Sequence, residues 1–174
     1  MPVTVPWSPA LALVPVLVLL RTIELVLSRR NELRLFRRKG FEVDRAFTRL
    51  IMVFHAAYLL TFAVEAWLRQ PDPWLPLPLA AAVLVTLEAA RLWCIASLGD
   101  RWSVRVIALP GESLRTRGPY RWLRHPNYLA VSLQMVLFPL VLGCPFTALV
   151  GGTANLLVVT RRIRAENAVL DAAP

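Results

Sequence analysis

The chain has 174 residues, 57% of them hydrophobic, and a mean hydropathy of +0.55, against roughly 45–50% apolar residues in a soluble domain. Lys and Arg number 20 against 11 Asp and Glu, giving a net charge of +9. The basic residues fall between apolar runs, where they face phospholipid headgroups, and this argues for a bilayer and against nucleic acid as the partner.

Residues 9–28 form the first predicted span, long enough to cross about 30 Å of hydrocarbon. Arg21 and Glu24 interrupt its end at i,i+3 spacing and can pair. No Lys or Arg precedes Arg21, so a cleavable signal peptide is not expected and the segment reads as a retained helix. Residues 29–45 read as an Arg-rich loop. Residues 47–68 form a second span carrying His55 and Glu65, and a connection with prolines at 71, 73, 76 and 78 follows, where no helix is expected. Residues 79–98 form a third span, with Glu88 and Arg91 three apart. Residues 99–126 are polar. Two shorter runs, 127–142 and 146–160, joined by Gly143-Cys144-Pro145, predict a helical hairpin. The expected fold is therefore a single all-α membrane domain over residues 1–174, a bundle of about five transmembrane helices.

Charge sets the expected orientation. The loops after spans one and three and the C-terminal tail are rich in Arg, whereas Arg69 alone marks the opposite side. The positive-inside bias puts the N-terminus outside and the basic loops and C-terminus in the cytoplasm. Cys94 and Cys144 then lie toward opposite faces, with no disulfide between them, and their spacing fits no metal site.

Ionisable residues inside spans are functional candidates by default. Glu65 and Arg91 lie near span ends and read as snorkelling groups. Glu88 with Arg91 reads as a structural pair, and His55 as a helix–helix hydrogen bond or a base. Gln134 and Asn155 are expected to bond across the hairpin, where Gly151-Gly152 allows close packing.

The most informative stretch is Gly118-Pro119-Tyr120-Arg121-Trp122-Leu123-Arg124-His125-Pro126-Asn127-Tyr128. Pro126 suits the first position of the fourth helix. His125 and Asn127 then flank a helix N-terminus able to receive an anion, and Tyr120, Trp122 and Tyr128 can wall a heterocycle or a sulfonium. An interfacial aromatic belt explains the same residues without a ligand. Beyond the fifth span, Arg162 and Glu166 share a helical face at i,i+4; the plain reading is a solvated ion pair. The hairpin returns the chain to the same membrane face, so the two clusters must be neighbours.

The Gly-Pro-Tyr to His-Pro-Asn-Tyr string, two short spans and Arg162-x-x-x-Glu166 together resemble the isoprenylcysteine carboxyl methyltransferase family over roughly residues 100–170. Arg30-Asn31-Glu32 and residues 102–110 resemble its bacterial branch, whose members accompany type III polyketide synthases and methylate alkylpyrones or alkylresorcinols. The resemblance implies S-adenosylmethionine as methyl donor, with S-adenosylhomocysteine as product, in a cytoplasmic cofactor pocket. It implies cofactor contacts from Tyr120, His125, Pro126, Asn127, Tyr128 and Glu166, and from Glu112, Ser113, Leu114 and Arg115. At the last four positions the chain reads Glu-Ser-Leu-Arg where the family more often has His-Thr-Leu-Val. Arg162 is implied to hold the methyl acceptor, and His125 or Glu166 to act as base; Asn167 stands where a second acidic residue is common. The acceptor implied is a lipophilic small molecule or a prenylated carboxylate, and no metal is required. With Arg outnumbering Lys 19 to 1, the composition fits a GC-rich bacterium and an inner-membrane location. Phospholipid N-methylation is the competing activity, and a non-catalytic or reductase-like membrane protein the competing class; no Gly-rich dinucleotide fingerprint is present.

Overall fold

The computed structural model describes residues 8–110 and 115–170, with side chains described as far as residue 167. Five helices carry the fold: α1 (Pro9–Arg37), α2 (Arg45–Arg69), α3 (Leu77–Leu98), α4 (Pro126–Val141) and α5 (Pro145–Leu170). Two-residue strands, β1 (Phe41–Glu42) and β2 (Ile107–Ala108), pair antiparallel, with Phe41 opposite Ala108. The first three helices are long and apolar enough to cross a bilayer. α4 has 16 residues, about 24 Å at 1.5 Å per residue, and with the apolar part of α5 it forms a shorter hairpin. The solvent-accessible faces are apolar, with Val26, Val53, Leu60, Val85 and Leu157 all at least 65% exposed, whereas Glu24, Glu32, Glu65, Arg91, Gln134 and Asn155 are buried. Polar groups inside and apolar groups outside is the burial pattern of an integral membrane protein.

Local chemistry sets the helix ends. Ser8 caps α1, its hydroxyl accepting from Leu11 N at 3.2 Å ahead of Pro9. Asp44 caps α2 through Phe47 N at 3.0 Å. The hairpin turn needs Gly143, whose φ is +77° and whose added Cβ would lie 2.5 Å from the Asp72 carbonyl. Trp74 N donates to Val141 O at 2.9 Å and ties the Pro-rich connection to this turn. An apolar core of Leu17, Phe62, Ala66, Phe138 and Leu142 fills the bundle toward this end, and the basic loops gather at the other.

Several expectations are corrected. The segment 29–45 is largely helical: α1 runs on to Arg37, because Asn31, Glu32 and Leu35 are buried against the polar segment 99–110. Glu88 does not pair with Arg91. Instead Arg21 reaches Glu88 at 2.9 Å, Arg91 Nη2 reaches Glu24 at 2.7 Å, and Arg21 also holds Glu24 at 2.9 Å. Residues 21 and 24 of α1 face 88 and 91 of α3 at one constant offset, so cross-helix pairing neutralises four charges at once, the buried Glu24 and Arg91 and the half-buried Arg21 and Glu88. Arg91 is thereby buried rather than snorkelling, and so is Glu65. The Glu65 carboxylate accepts from Phe146 N at 3.1 Å, Thr147 N at 2.7 Å and the Thr147 hydroxyl at 2.6 Å, capping α5 from α2. Gln134 donates to Glu88 at 2.8 Å and Asn155 to Ser132 at 2.8 Å, so the bond across the hairpin is Asn155–Ser132, not Gln134–Asn155. His55 Nδ1 bonds Ile51 O within its own helix at 2.9 Å. The close-packing expectation holds: an added Cβ at Gly152 would lie 2.6 Å from Val136 of α4, and at Gly151 2.5 Å from the Tyr58 ring of α2.

Candidate active site

Pro126 is the first residue of α4, and His125 precedes it as cap residue. This places His125, Asn127 and Tyr128 around the helix start, where unpaired N–H groups carry partial positive charge. α5 continues past its apolar part and brings Arg162 and Glu166 alongside. The short turn Gly118–Arg121 supplies Tyr120, and Gly118 there has φ +57° with its Cα side against Ser97 and Trp93 of α3. A side chain at 118 would drive this turn off α3, so glycine positions Tyr120.

One hydrogen-bonded cluster joins the two helix ends. The Tyr128 hydroxyl accepts from Arg162 Nε at 2.7 Å and donates to Glu166 Oε1. Glu166 Oε2 lies 3.3 Å from His125 Nδ1, and His125 Nε2 lies 3.0 Å from Asn167 Oδ1. Arg162 Nη2 donates to the Val104 carbonyl at 2.6 Å. The His125 ring stacks on Tyr128 with centroids 5.4 Å apart. Hydrogen bonding to Glu166 raises the His125 pKa above its ordinary value, against the opposing effect of burial. Burial alone would raise Glu166, but the His125 hydrogen bond, the Arg162 charge and the Tyr128 hydroxyl hold its pKa below the usual value. Burial raises the Tyr120 phenol.

These residues open onto a cavity of about 300 Å³ at the basic end of the bundle, lined by Tyr120, Arg124, His125, Asn127, Tyr128 and Glu166 among others. The Tyr120 hydroxyl and Asn127 Oδ1 are buried without a partner among the described residues. A nucleoside carrying hydroxyls and an exocyclic amine answers both, and the α4 N-terminus suits its carboxylate, so the residues present fit an adenosyl amino-acid cofactor. A second cavity, about 380 Å³ and largely apolar, lies deeper between α1, α2, α4 and α5. The two share Trp102, Ser103, Asn127, Tyr128 and Arg162 as a common wall. Among the described residues no group of three His, Cys, Asp or Glu could hold a metal ion.

Residues 79–172 match the isoprenylcysteine carboxyl methyltransferase (ICMT) family. The chain belongs to that family. The uncharacterised protein YpbQ of Bacillus subtilis is 30% identical over 161 residues, covering 91% of this chain and 94% of that protein. An uncharacterised protein of Haemophilus influenzae is 24% identical over 152 residues, covering 87% and 88%. No solved structure matches the chain. Membership makes this a membrane methyltransferase-family protein, and it places the candidate residues within the matched half.

Of the residues singled out in sequence, Tyr120, His125, Asn127, Tyr128, Arg162 and Glu166 converge on one cavity. Pro126 is buried behind them as the first helical residue. Arg115 lines the cavity and pairs with Asp100 at 3.2 Å. Glu112, Ser113 and Leu114 lie outside the described residues. Sequence reasoning missed the wall formed by Trp102, Ser103, Arg105 and the Val104 carbonyl. Asn31 donates to the Gly99 and Trp102 carbonyls at 3.0 and 2.9 Å, the Ser28 hydroxyl accepts from Val104 N at 2.9 Å, and Glu32 holds Arg105 at 3.1 Å. The signal was present in Asn31-Glu32 and the 102–110 strip, which carried the family resemblance as two separate motifs; in this ICMT-family chain they are two halves of one contact.

Proposed function

We propose that this chain transfers a methyl group from S-adenosylmethionine to an oxygen of a lipophilic acceptor, at the cytoplasmic face of a bacterial inner membrane. The observation that carries the reading is the shared wall: a polar cavity at the basic end meets an apolar cavity within the membrane at Asn127, Tyr128 and Arg162. The cofactor would sit in the polar cavity, held by the α4 N-terminus, Tyr120, Asn127 and Glu166, and the acceptor's chain in the apolar one. When bound, S-adenosylmethionine supplies a methyl group already activated on a sulfonium. The residues therefore need chiefly to align two reactants and exclude water, which can supply about 7–11 kcal/mol of a barrier. Arg162 is fixed by Tyr128 and Val104 and lines both cavities, so its guanidinium would meet an acceptor oxygen there.

A cation at this point suits an oxygen acceptor that is anionic or becoming so, and disfavours the amine acceptor of phospholipid N-methylation, whose nitrogen gains positive charge as the methyl group is added. The test is methyl transfer from radiolabelled S-adenosylmethionine into lipid extract by purified protein. Label is expected in an alkali-labile ester or a stable ether; His125→Ala or Glu166→Ala should abolish it while the protein still inserts. Full activity in both variants overturns the site, and label confined to phospholipid amines overturns the O-methyl reading.

A further inference from the structure

The apolar cavity holds polar groups that methyl transfer beside Arg162 does not use. Arg91 of α3 and Asn155 of α5 both line it, and they are only 7% and 1% exposed. Each keeps one polar atom without a partner among the described residues: the Arg91 Nε–H, a donor, and Asn155 Oδ1, an acceptor. The rest of both side chains is engaged. Arg91 Nη1 and Nη2 hold the Glu24 carboxylate, and Asn155 Nδ2 donates to the Ser132 hydroxyl at 2.8 Å. Neither side chain can turn to satisfy its remaining atom without giving up the bonds it has.

The two stand at one depth. Gln134 of α4 donates to the Leu87 carbonyl at 3.2 Å and to Glu88 at 2.8 Å, so Arg91, one turn nearer the basic end of α3, stands level with Ala130 and Val131. Asn155 bonds Ser132, the next residue, and Val131 lines the cavity with both. Their distance from the site can be read along α1. The Ser28 hydroxyl accepts from Val104 N, and the Val104 carbonyl accepts from Arg162 Nη2, whereas Glu24, four residues deeper, holds Arg91. Four residues of helix rise about 6 Å, so the Arg91 guanidinium lies about 6 Å below that of Arg162, or about five bonds of an extended chain at roughly 1.2 Å per bond.

Charge narrows what fits there. Glu24 neutralises Arg91, and Arg21 is held by Glu24 and Glu88, so no further anion is called for. One donor and one acceptor match a hydroxyl, which accepts from Nε and donates to Oδ1; a ketone meets only Nε, and a methylene neither. An unsatisfied polar atom surrounded by hydrocarbon is costly, so a chain that pairs both atoms is favoured over a plain one.

We propose that Arg91 and Asn155 form a second polar subsite inside the apolar cavity, which takes an uncharged hydroxyl carried on the lipid's chain one helical turn deeper than the oxygen at Arg162. The lipid recognised here is accordingly a hydroxylated chain rather than a plain hydrocarbon. The proposal rests on the reading above that the acceptor's chain occupies this cavity with its reacting oxygen at Arg162.

The test is calorimetric titration of full-length wild type and Asn155→Leu with four probes: stearate, stearate hydroxylated at the fifth or at the twelfth carbon, and stearate with a ketone at the fifth. The carboxylate stands in for the acceptor oxygen at Arg162. Wild type should bind the fifth-carbon hydroxyl about tenfold tighter than stearate, in the range two net hydrogen bonds contribute. The twelfth-carbon hydroxyl should gain nothing, and the ketone should fall between. Asn155→Leu should bind stearate within a few-fold of wild type and lose the gain from the hydroxyl. Equal wild-type affinities for stearate and the fifth-carbon hydroxyl overturn the subsite, as does a ketone bound as tightly as that hydroxyl. An equal loss on both probes in Asn155→Leu overturns it too, because the asparagine then only shapes the cavity. Binding of none of the four overturns it because the cavity then holds no chain. Methyl transfer from radiolabelled S-adenosylmethionine into lipid extract, measured in parallel, separates the two readings. Transfer without a hydroxyl preference removes only the subsite; a hydroxyl preference without transfer removes the methyl-transfer reading and leaves the subsite.

Discussion

Two polar clusters sit in this bundle, and they differ in what lies beside them. Between α1 and α3, Arg21, Glu24, Glu88 and Arg91 pair off as two cations and two anions, with Gln134 adding a donor to Glu88. At the junction of α4 and α5, Tyr128, Arg162, Glu166 and His125 bond to one another, but beside a cavity where the Tyr120 hydroxyl and Asn127 Oδ1 have no partner among the described residues. The first cluster pairs each of its four charges, leaving Arg91 Nε without a partner among the described residues, and belongs to the architecture. The second borders a cavity with two unpartnered polar atoms, which is where a ligand would be accommodated. A polar group within a membrane protein is thus read by what it lacks as much as by what it touches.

The largest effect should come from breaking the closed cluster. Glu24→Ala strands the buried Arg91, while Arg21 keeps Glu88, and should cost about 3–5 kcal/mol, read as loss of folded protein on denaturation in detergent; a variant as stable as wild type would show the pairs to be dispensable. Next, Arg162→Ala should lower kcat by roughly 10²–10³-fold, as loss of a donor to a developing oxyanion does, with melting close to wild type. An equal loss of melting temperature and activity would erase the distinction between the clusters. Gly152→Val drives a side chain into Val136 and should destabilise by about 1–3 kcal/mol, measured by thermal melting. It sharpens the comparison by showing that the hairpin carrying the site depends on packing rather than on charge.

The smallest effect is in pH. His125, raised above its ordinary 6.5, contributes stability fully below 6.5 and loses it as pH rises through the raised value. Glu166, lowered from 4.5, contributes fully above 4.5 and loses it as pH falls through the lowered value. The melting-temperature gap between wild type and Glu166→Gln should therefore be widest between 4.5 and 6.5 and shrink on both sides. A gap independent of pH would mean that the ion pair adds nothing.

The helical hairpin, the meeting of residue 128 with 162 and 166, and the tyrosines that line the cavity were legible because each rests on local rules. Proline starts a helix, a two-helix return brings its ends together, and residues four apart share a face. What was not legible were pairings at long sequence distance. Arg21 had a satisfactory partner at Glu24, and Glu88 at Arg91, and nothing local says that 21 also reaches 88. The extension of α1 to Arg37 was hidden for a related reason, since an Arg-rich stretch reads as loop until its buried Asn31 and Glu32 are seen holding residues 99–105. Glu65 looked like a snorkelling group because the helix N-terminus it caps lies 81 and 82 residues away.

The most direct test of the account is calorimetric titration of S-adenosylmethionine into purified protein, beside Glu166→Ala, Asn127→Ala and the remote variant Gln134→Leu. Binding in the micromolar range should be present in wild type, largely retained in Gln134→Leu, and weakened at least about tenfold in the two cavity variants, a loss of about 1.4 kcal/mol each. Binding that is absent from wild type, or unchanged when Glu166 and Asn127 are removed, would mean that the start of α4 and the end of α5 do not enclose the methyl donor.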